Sequence, residues 1–280
     1  MHQTIHDPSD EDGLQSVADC LARAKKVVVL LGAGVSTAAQ IPDFRSNNGL
    51  YRKGEVFTEG AANSPEGRAR LLKVAWELRQ KALIAGPTET HRLLDTLRIR
   101  GQLLRCYTQN IDMLEEGTGL SVGVDSGYNC IPLHGSLRHL RCASCCSLFS
   151  NWADYEAFIT AGESVPCPSC AASCQARHRN GEAIGNIIAK DVAAPPDFLL
   201  VLGTSLRVHG PKRLASRLAE AVSGRHGTVV YVDLSETCSW SKRVDFHVHM
   251  GCDEWVQDLT RRKPVFHRGS GSAEDPIIID

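Results

Sequence analysis

No sign of charge dominates this chain: 31 Lys and Arg stand against 32 Asp and Glu, a net charge of -1 over 280 residues. A global field that draws the molecule to nucleic acid or an anionic membrane is thereby excluded, and any macromolecular partner must be recognised locally. Long apolar runs are missing as well. Nothing approaches the roughly 20 apolar residues that span a bilayer, and the opening MHQTIHDPSDEDG is acidic, with no signal-peptide centre. A reducing compartment is therefore expected. No internal repeat is apparent, and the length suits one large domain or a core with a smaller lobe.

What the sequence does contain is an alternation of short apolar runs and helical patterns. Val27 to Leu31, Leu103 to Tyr107, Phe198 to Leu202 and Thr228 to Val232 are β-rich and apolar on both faces, as parallel strands buried between helices must be. Leu14, Val17, Leu21 and Ala24 recur at helical spacing, and Thr90 to Arg98 and Pro211 to Val222 read as further helices. This predicts an α/β fold: a Rossmann-like, doubly wound parallel sheet over 14–138 and 190–262, with a helical insertion over 46–86. Residues 1–13 are expected to be disordered, and 263–280 to form a flexible Gly/Ser-rich tail.

Eleven cysteines in a reduced protein point to metal rather than disulfides. Cys142, Cys145, Cys167 and Cys170 form two C-x-x-C pairs separated by 21 residues, a spacing that brings four thiolates onto one zinc ion. Four protein sulfurs close the coordination, so the metal is structural. The surrounding stretch, rich in Cys, Ser, Ala and Pro, is expected to be a small zinc lobe over 139–189. Cys146 and Cys174 are nearby spares.

Directly after the first strand pattern comes Gly32-Ala33-Gly34-Val35-Ser36, where two glycines let backbone approach a pyrophosphate and leave amide donors facing it. Alone, such a G-x-G is more often a tight strand-to-helix turn than a cofactor site. Asp112 has two readings also: a carboxylate that accepts hydrogen bonds from a ligand, or a cap on a helix starting at Met-Leu-Glu-Glu. His134 titrates near neutral pH and suits a general base, although an isolated histidine is usually structural.

The continuation GAGVSTAAQIPDFRSNNGLY is followed in order by Thr108-Gln109-Asn110-Ile111-Asp112, Leu133-His134-Gly135-Ser136, the cysteine pairs, and Gly203-Thr204-Ser205-Leu206 with Val208. This series resembles the sirtuin protein deacylases over roughly residues 14 to 262. The stretches IPDFRSNNGLY, GEAIGNIIAKD and LLVLGTSLRVHGPKRL are most similar to fungal nuclear sirtuins that act on histone lysines. The resemblance implies NAD as a consumed co-substrate, one structural zinc, an acetylated protein substrate of histone type, and a nuclear location; RRKP at 261–264 is too short to be a localisation signal by itself.

By the same resemblance Ala33, Ile41, Phe44, Asn110, Ile111 and Asp112 surround the nicotinamide and its ribose, with Gln109 beside them. Gly32, Gly34, Ser36 and Arg45 lie nearer the phosphates; Gly203, Thr204, Ser205 and Val208 lie toward the adenosine half, with weaker matches at Asp233 and Cys252. His134 and Asn110 are the implied catalytic pair. The acyl-lysine oxygen attacks the anomeric carbon, nicotinamide leaves, and His134 helps a ribose hydroxyl capture the acyl carbon, giving deacylated lysine, nicotinamide and O-acetyl-ADP-ribose.

Two departures stand out. Gln40 replaces the family's usual glycine before IPDFRS, which restricts the loop if a positive φ is needed. Between Cys174 and Gly185 the family's apolar, peptide-pairing strand is missing, so its sheet neighbours are expected to be left unpaired. The second reading is thus a catalytically impaired NAD- and zinc-binding protein without the acyl-lysine-binding strand. A conventional NAD dehydrogenase explains the glycine turn but neither TQNID, LHGS nor the closed zinc site. The tail AEDPIIID resembles a SUMO-interacting motif, or is simply a disordered end.

Overall fold

The computed structural model describes residues 3–5, 9–43, 49–50, 64–142, 144–170, 174–175, 181–234 and 240–267. The strands among them are β1 (Gln3–Ile5), β2 (Val27–Leu31), β3 (Leu103–Thr108), β4 (Cys130–Pro132), β5 (Leu140–Cys142), β6 (Leu148–Phe149), β7 (Cys174–Gln175), β8 (Phe198–Leu202), β9 (Thr228–Val232) and β10 (Phe246–Val248). The helices are α1 (Glu11–Arg23), α2 (Pro65–Ala85), α3 (Glu89–Ile99), α4 (Glu156–Ala161), α5 (Gly181–Ala193), α6 (His209–Ser223) and α7 (Cys252–Arg262).

The main sheet has seven strands in the order β1-β10-β9-β8-β2-β3-β4, and every neighbouring pair is parallel. The chain first builds outward from β2 through β3 and β4, then returns to the other side of β2 for β8, β9 and β10. That reversal places a crevice at the carboxyl ends of β2 and β8, where doubly wound sheets take their ligands. All five residues of β2 and of β8 are buried. Their alternate side chains feed two cores: Val27, Val29 and Leu31 meet α1, α3 and α7, while Val28 and Leu30 meet α5 and α6. An apolar run without polar alternation is therefore what the position demands.

The strand expectations at β2, β8 and β9 match residue for residue, and β3 runs one residue further. Several boundaries differ. Residues 1–13 are not all disordered: β1 pairs with β10, Ile5 is fully buried, and α1 starts at Glu11 under the Asp10 cap, whose carboxylate accepts from Gly13 N at 2.9 Å. The outer edge of β10 offers ladder groups that β1 satisfies. Residues 263–267 are docked as well, with Phe266 in the α1/α7 core and Lys263 paired with Asp19 at 2.6 Å; 268–280, including the AEDPIIID motif, lie outside the described residues. Helix α5 belongs to the main sheet rather than the zinc lobe, because Ile184 and Ile187 pack with Leu199 and Val201.

Among the described residues β2, β3 and β4 are contiguous and β7 pairs with β5 in a small antiparallel sheet; β4 is the edge strand, and residues 176–180 of the segment where the family's strand is missing lie outside the described residues. That small sheet, α4 and α2 share a third core, in which Trp152 is stacked on Trp76 of α2 with ring centroids 6.3 Å apart. Of the helical insertion expected at 46–86, α2 accounts for 65–85; 44–48 and 51–63 lie outside the described residues.

Candidate active site and metal centre

The loop after β2 and the loop after β8 are in backbone contact. Gly32 N donates to Leu202 O at 2.9 Å and Gly34 N to Gly203 O at 2.8 Å. A Cβ on Gly34 would stand 2.7 Å from Gly203 Cα, and one on Gly32 would stand 2.4 Å from Thr204 Cβ. Both glycine amides donate within the protein, and the missing side chains let two loops touch.

The loop after β3 joins them. Gln109 N donates to Leu31 O at 3.0 Å, and its side-chain amide reaches Thr204 Oγ1 at 2.9 Å. Asn110 is 4% exposed, and its Nδ2 donates to Ser36 Oγ at 3.3 Å while its Oδ1 is buried without a partner. Asp112 Oδ1 accepts from Leu114 N at 3.2 Å, so this residue does close a turn. The chain then makes a single 3-10 turn at Glu116–Thr118 rather than an α-helix, and Asp112 also lines the pocket. Burial raises its carboxyl pKa, against hydrogen bonds from Ser36 and Leu114.

The fourth loop, after β4, is tied to the third at both ends: Leu133 N donates to Thr108 O at 2.8 Å and Leu137 N to Ile111 O at 3.0 Å. Between those anchors sits His134, half-buried on the turn that leaves β4. Ala33, Ser36, Ile41, Asn110, Ile111 and Asp112 line one pocket, with Pro42, Leu50, Leu78 and Leu137 completing its wall. Pro42 and Leu50 belong to the stretch that begins at Gly32, whereas Leu78 and Leu137 had no local signal, because they meet only in the third core. Phe44 and Arg45 lie outside the described residues.

On the other side of the crevice Thr204 is buried, and Tyr231 OH donates to its carbonyl at 2.9 Å. Ser205 is half-buried, and Val208 is 37% exposed as it leads into α6. Asp233 follows β9, and Cys252 opens α7 with its thiol pKa raised by burial, then by Asp233 and Asp253. A thiol held neutral in this way suits packing rather than nucleophilic attack.

Three of the four loops around the crevice carry a non-glycine residue in the left-handed region: Gln40 at φ 60°, Met113 at φ 68° and Leu206 at φ 49°. The positive φ anticipated at Gln40 is therefore real. Backbone strain of this kind collects where a site fixes the chain in an unfavourable geometry, at a cost of about 1–3 kcal/mol per residue.

The metal quartet converges. Ligand atoms of Cys142, Cys145, Cys167 and Cys170 all lie within 4.8 Å of one another. Cys142 and Cys170 sulfurs are 3.5 Å apart and those of Cys145 and Cys167 are 3.6 Å apart. A tetrahedral zinc with bonds of about 2.3 Å needs sulfurs roughly 3.8 Å apart, so the residues fit that ion. Amides of Ser144 and Cys145 donate to Cys142 Sγ, each at 3.3 Å, and Ser169 N donates to Cys167 Sγ at 3.3 Å, as suits thiolates. Cys167 is lowered to about 6, chiefly by the Ser147 hydroxyl. Cys146 stays outside the quartet, accepting from Arg141 at 2.9 Å.

The sequence profile of the Sir2 family matches residues 32–210, well over half of the chain. The chain belongs to the Sir2 family. The NAD-dependent histone deacetylase HST3 of Saccharomyces cerevisiae is 31% identical over 93% of this chain and 70% of its own length. Its counterpart HST3 of Candida albicans is 30% identical over 90% of this chain, which spans only 62% of that relative. The match to the first extends over 314 positions against the 280 residues here, so that Sir2 protein carries insertions this chain lacks. A solved Sir2 homologue in complex with ADP-ribose is 26% identical with a TM-score of 0.71, covering 90% of this chain and 98% of that one.

Proposed function

We propose that this protein is an NAD-dependent protein lysine deacetylase of the nucleus, acting on acetylated histones. One observation carries the reading: the chain segments that follow the adjacent strands β2, β3 and β4 converge on a pocket lined by Ala33, Ser36, Ile41, Asn110, Ile111, Asp112 and Leu137. Relatives named as fungal NAD-dependent histone deacetylases support the substrate class and the compartment. No helix among the described residues is long and apolar enough to cross a membrane.

NAD supplies the glycosidic bond that is broken and the ribose that accepts the acetyl group. Asp112 and the unpartnered Oδ1 of Asn110 are the acceptors that orient the nicotinamide amide and ribose. Ser36, 1% exposed, fixes Asn110 through its hydroxyl. Ile41, Ile111, Leu50 and Leu78 exclude water, which keeps the activated sugar from hydrolysis. His134 takes the proton from the attacking ribose hydroxyl. The four thiolates would hold a structural zinc, and that lobe packs against the pocket wall through Leu137, Leu140 and Trp152. An impaired protein is the weaker reading, since the relatives that match over most of this chain are named as deacetylases.

Nicotinamide release from NAD by zinc-loaded protein with an acetyl-lysine histone peptide tests the proposal. Release that depends on peptide and is lost in His134→Ala and Asn110→Ala is expected. Folded, zinc-bound wild type that releases none refutes it.

A further inference from the structure

The near-neutral charge of the whole chain hides an uneven surface. Residues 207–226 carry five Lys and Arg against a single carboxylate, Glu220, although the chain has a net charge of -1. Most of that stretch is α6, which turns Leu214, Ala215, Leu218, Ala219 and Val222 inward. Arg213 and Arg217, one turn apart, and Glu220, three residues further, therefore share the solvent side. Arg207 stands before the helix and Arg225 after it, both exposed.

A short turn extends this face. Trp240 is buried, and its Nε1 donates to Ser216 Oγ of α6 at 3.1 Å, which sets the turn Ser241–Arg243 against the helix. Lys242 and Arg243 are exposed there, and Arg243 pairs with Glu220, so the one carboxylate of the helix is already neutralised. Among the described residues no carboxylate forms an ion pair with Arg207, Arg213, Arg217, Arg225 or Lys242. The other side of the sheet is built differently. On and beside α3 and α7, Arg98 pairs with Asp95 at 2.7 Å, Arg261 and Arg262 with Asp258 at 2.5 and 2.6 Å, and Lys263 with Asp19 at 2.6 Å. A face of mixed sign is an ordinary solvated surface, whereas a face of one sign attracts a polyanion.

Shape and chemistry select the polyanion. Of the six cations Arg207, Arg213, Arg217, Arg225, Lys242 and Arg243, five are arginines, whose planar fork matches a phosphate. A small phosphate ligand needs cations that converge, and these form a row. The 15 residues of α6 extend about 22 Å, the length of roughly six base pairs. The helix starts directly after the crevice loop 203–208, so the row begins at the edge of the site. We propose that the α6 face, with Lys242 and Arg243 beside it, binds the phosphate backbone of duplex DNA and so holds the protein next to lysines of DNA-bound histones. The positioning role rests on the histone deacetylase reading above; the DNA contact stands on the surface alone.

Fluorescence anisotropy of a labelled duplex of about 20 base pairs, titrated with the zinc-loaded full chain, tests the surface. Five unpaired cations predict a slope of log affinity against log salt of about -4.5. Arg213→Gln/Arg217→Gln/Lys242→Gln is expected to bring the slope to about -2 and to weaken binding roughly tenfold or more. Arg98→Gln/Arg261→Gln, on the other face, is expected to leave both near wild type. Wild type that binds no duplex at low salt, a triple variant that binds like wild type, or a chain that takes anionic lipid vesicles in preference to duplex overturns the proposal. Nicotinamide release separates it from the reading of the pocket. The triple variant is expected to match wild type on a free acetyl-lysine histone peptide and to fall behind on acetylated nucleosomes, and equal rates on nucleosomes overturn the positioning role. Wild type that binds duplex but releases no nicotinamide with the free peptide refutes the deacetylase reading and leaves the DNA surface standing.

Discussion

Gly34→Ala distinguishes a glycine kept for its ligand from one kept for its neighbour. A Cβ at this position would lie 2.7, 2.9 and 3.1 Å from Gly203 Cα, O and C, all backbone atoms of the loop after β8. Ordinary carbon contacts lie at about 3.5–4.0 Å, so the two loops must part by roughly 0.8 Å. That stretches the Gly34 N to Gly203 O bond, 2.8 Å in the native fold, out of hydrogen-bonding range. Overpacking at ~1–3 kcal/mol and a lost backbone bond at ~1 kcal/mol together predict a destabilisation of about 2–4 kcal/mol. Urea unfolding without NAD reads it, with Gly185→Ala as control. Gly185 sits inside α5 with no heavy atom near its missing Cβ, and alanine there is expected to stabilise by ~0.5–1 kcal/mol. If Gly34→Ala unfolds like wild type but loses NAD affinity, the loop-contact argument is wrong and the pyrophosphate reading returns.

Other consequences are open to measurement. His91, with its pKa lowered to about 4 from 6.5, binds protons in the unfolded state first, so stability is full above pH 6.5 and is lost as pH falls toward 4. The loss reaches ~3 kcal/mol, and a His91→Gln variant whose acid limb matches wild type contradicts it. Asp191→Ala strips the partner from buried Arg105, which it holds at 2.9 and 3.2 Å, and is expected to destabilise by ~3–5 kcal/mol in urea melts; a change below ~1 kcal/mol argues against the pair. Gln40→Gly relieves a left-handed residue at some entropic cost, for a net gain of ~0.5 kcal/mol; a clear loss of stability runs counter to the strain reading. Chelating zinc is expected to release the metal and red-shift the emission of Trp152 and Trp76. Metal loss with unchanged emission means that the lobe and α2 do not share a core.

The sheet was legible because buried parallel strands have a local signature. Val27 to Leu31 is apolar throughout, and both its faces are covered by helices. β1 and β10 escaped notice since three-residue strands carry too little pattern to separate from loop. Gly181 to Ala193 looked like part of a cysteine-rich lobe, and only packing of Ile184 and Ile187 on the sheet assigns it elsewhere.

The sequence by itself determined the order of the motifs and the metal quartet, because spacing along the chain fixes which cysteines reach one ion and which loops follow strands. Tertiary structure alone decided what those residues touch. Gly34 and Gly203, 169 positions apart, meet because β2 and β8 are neighbours in the sheet. His91 and Glu115 are brought together by α3 and the loop after β3, and nothing local announces that a capping histidine faces a buried carboxylate. Contacts across the fold are set by topology, and short-range pattern carries no information about them.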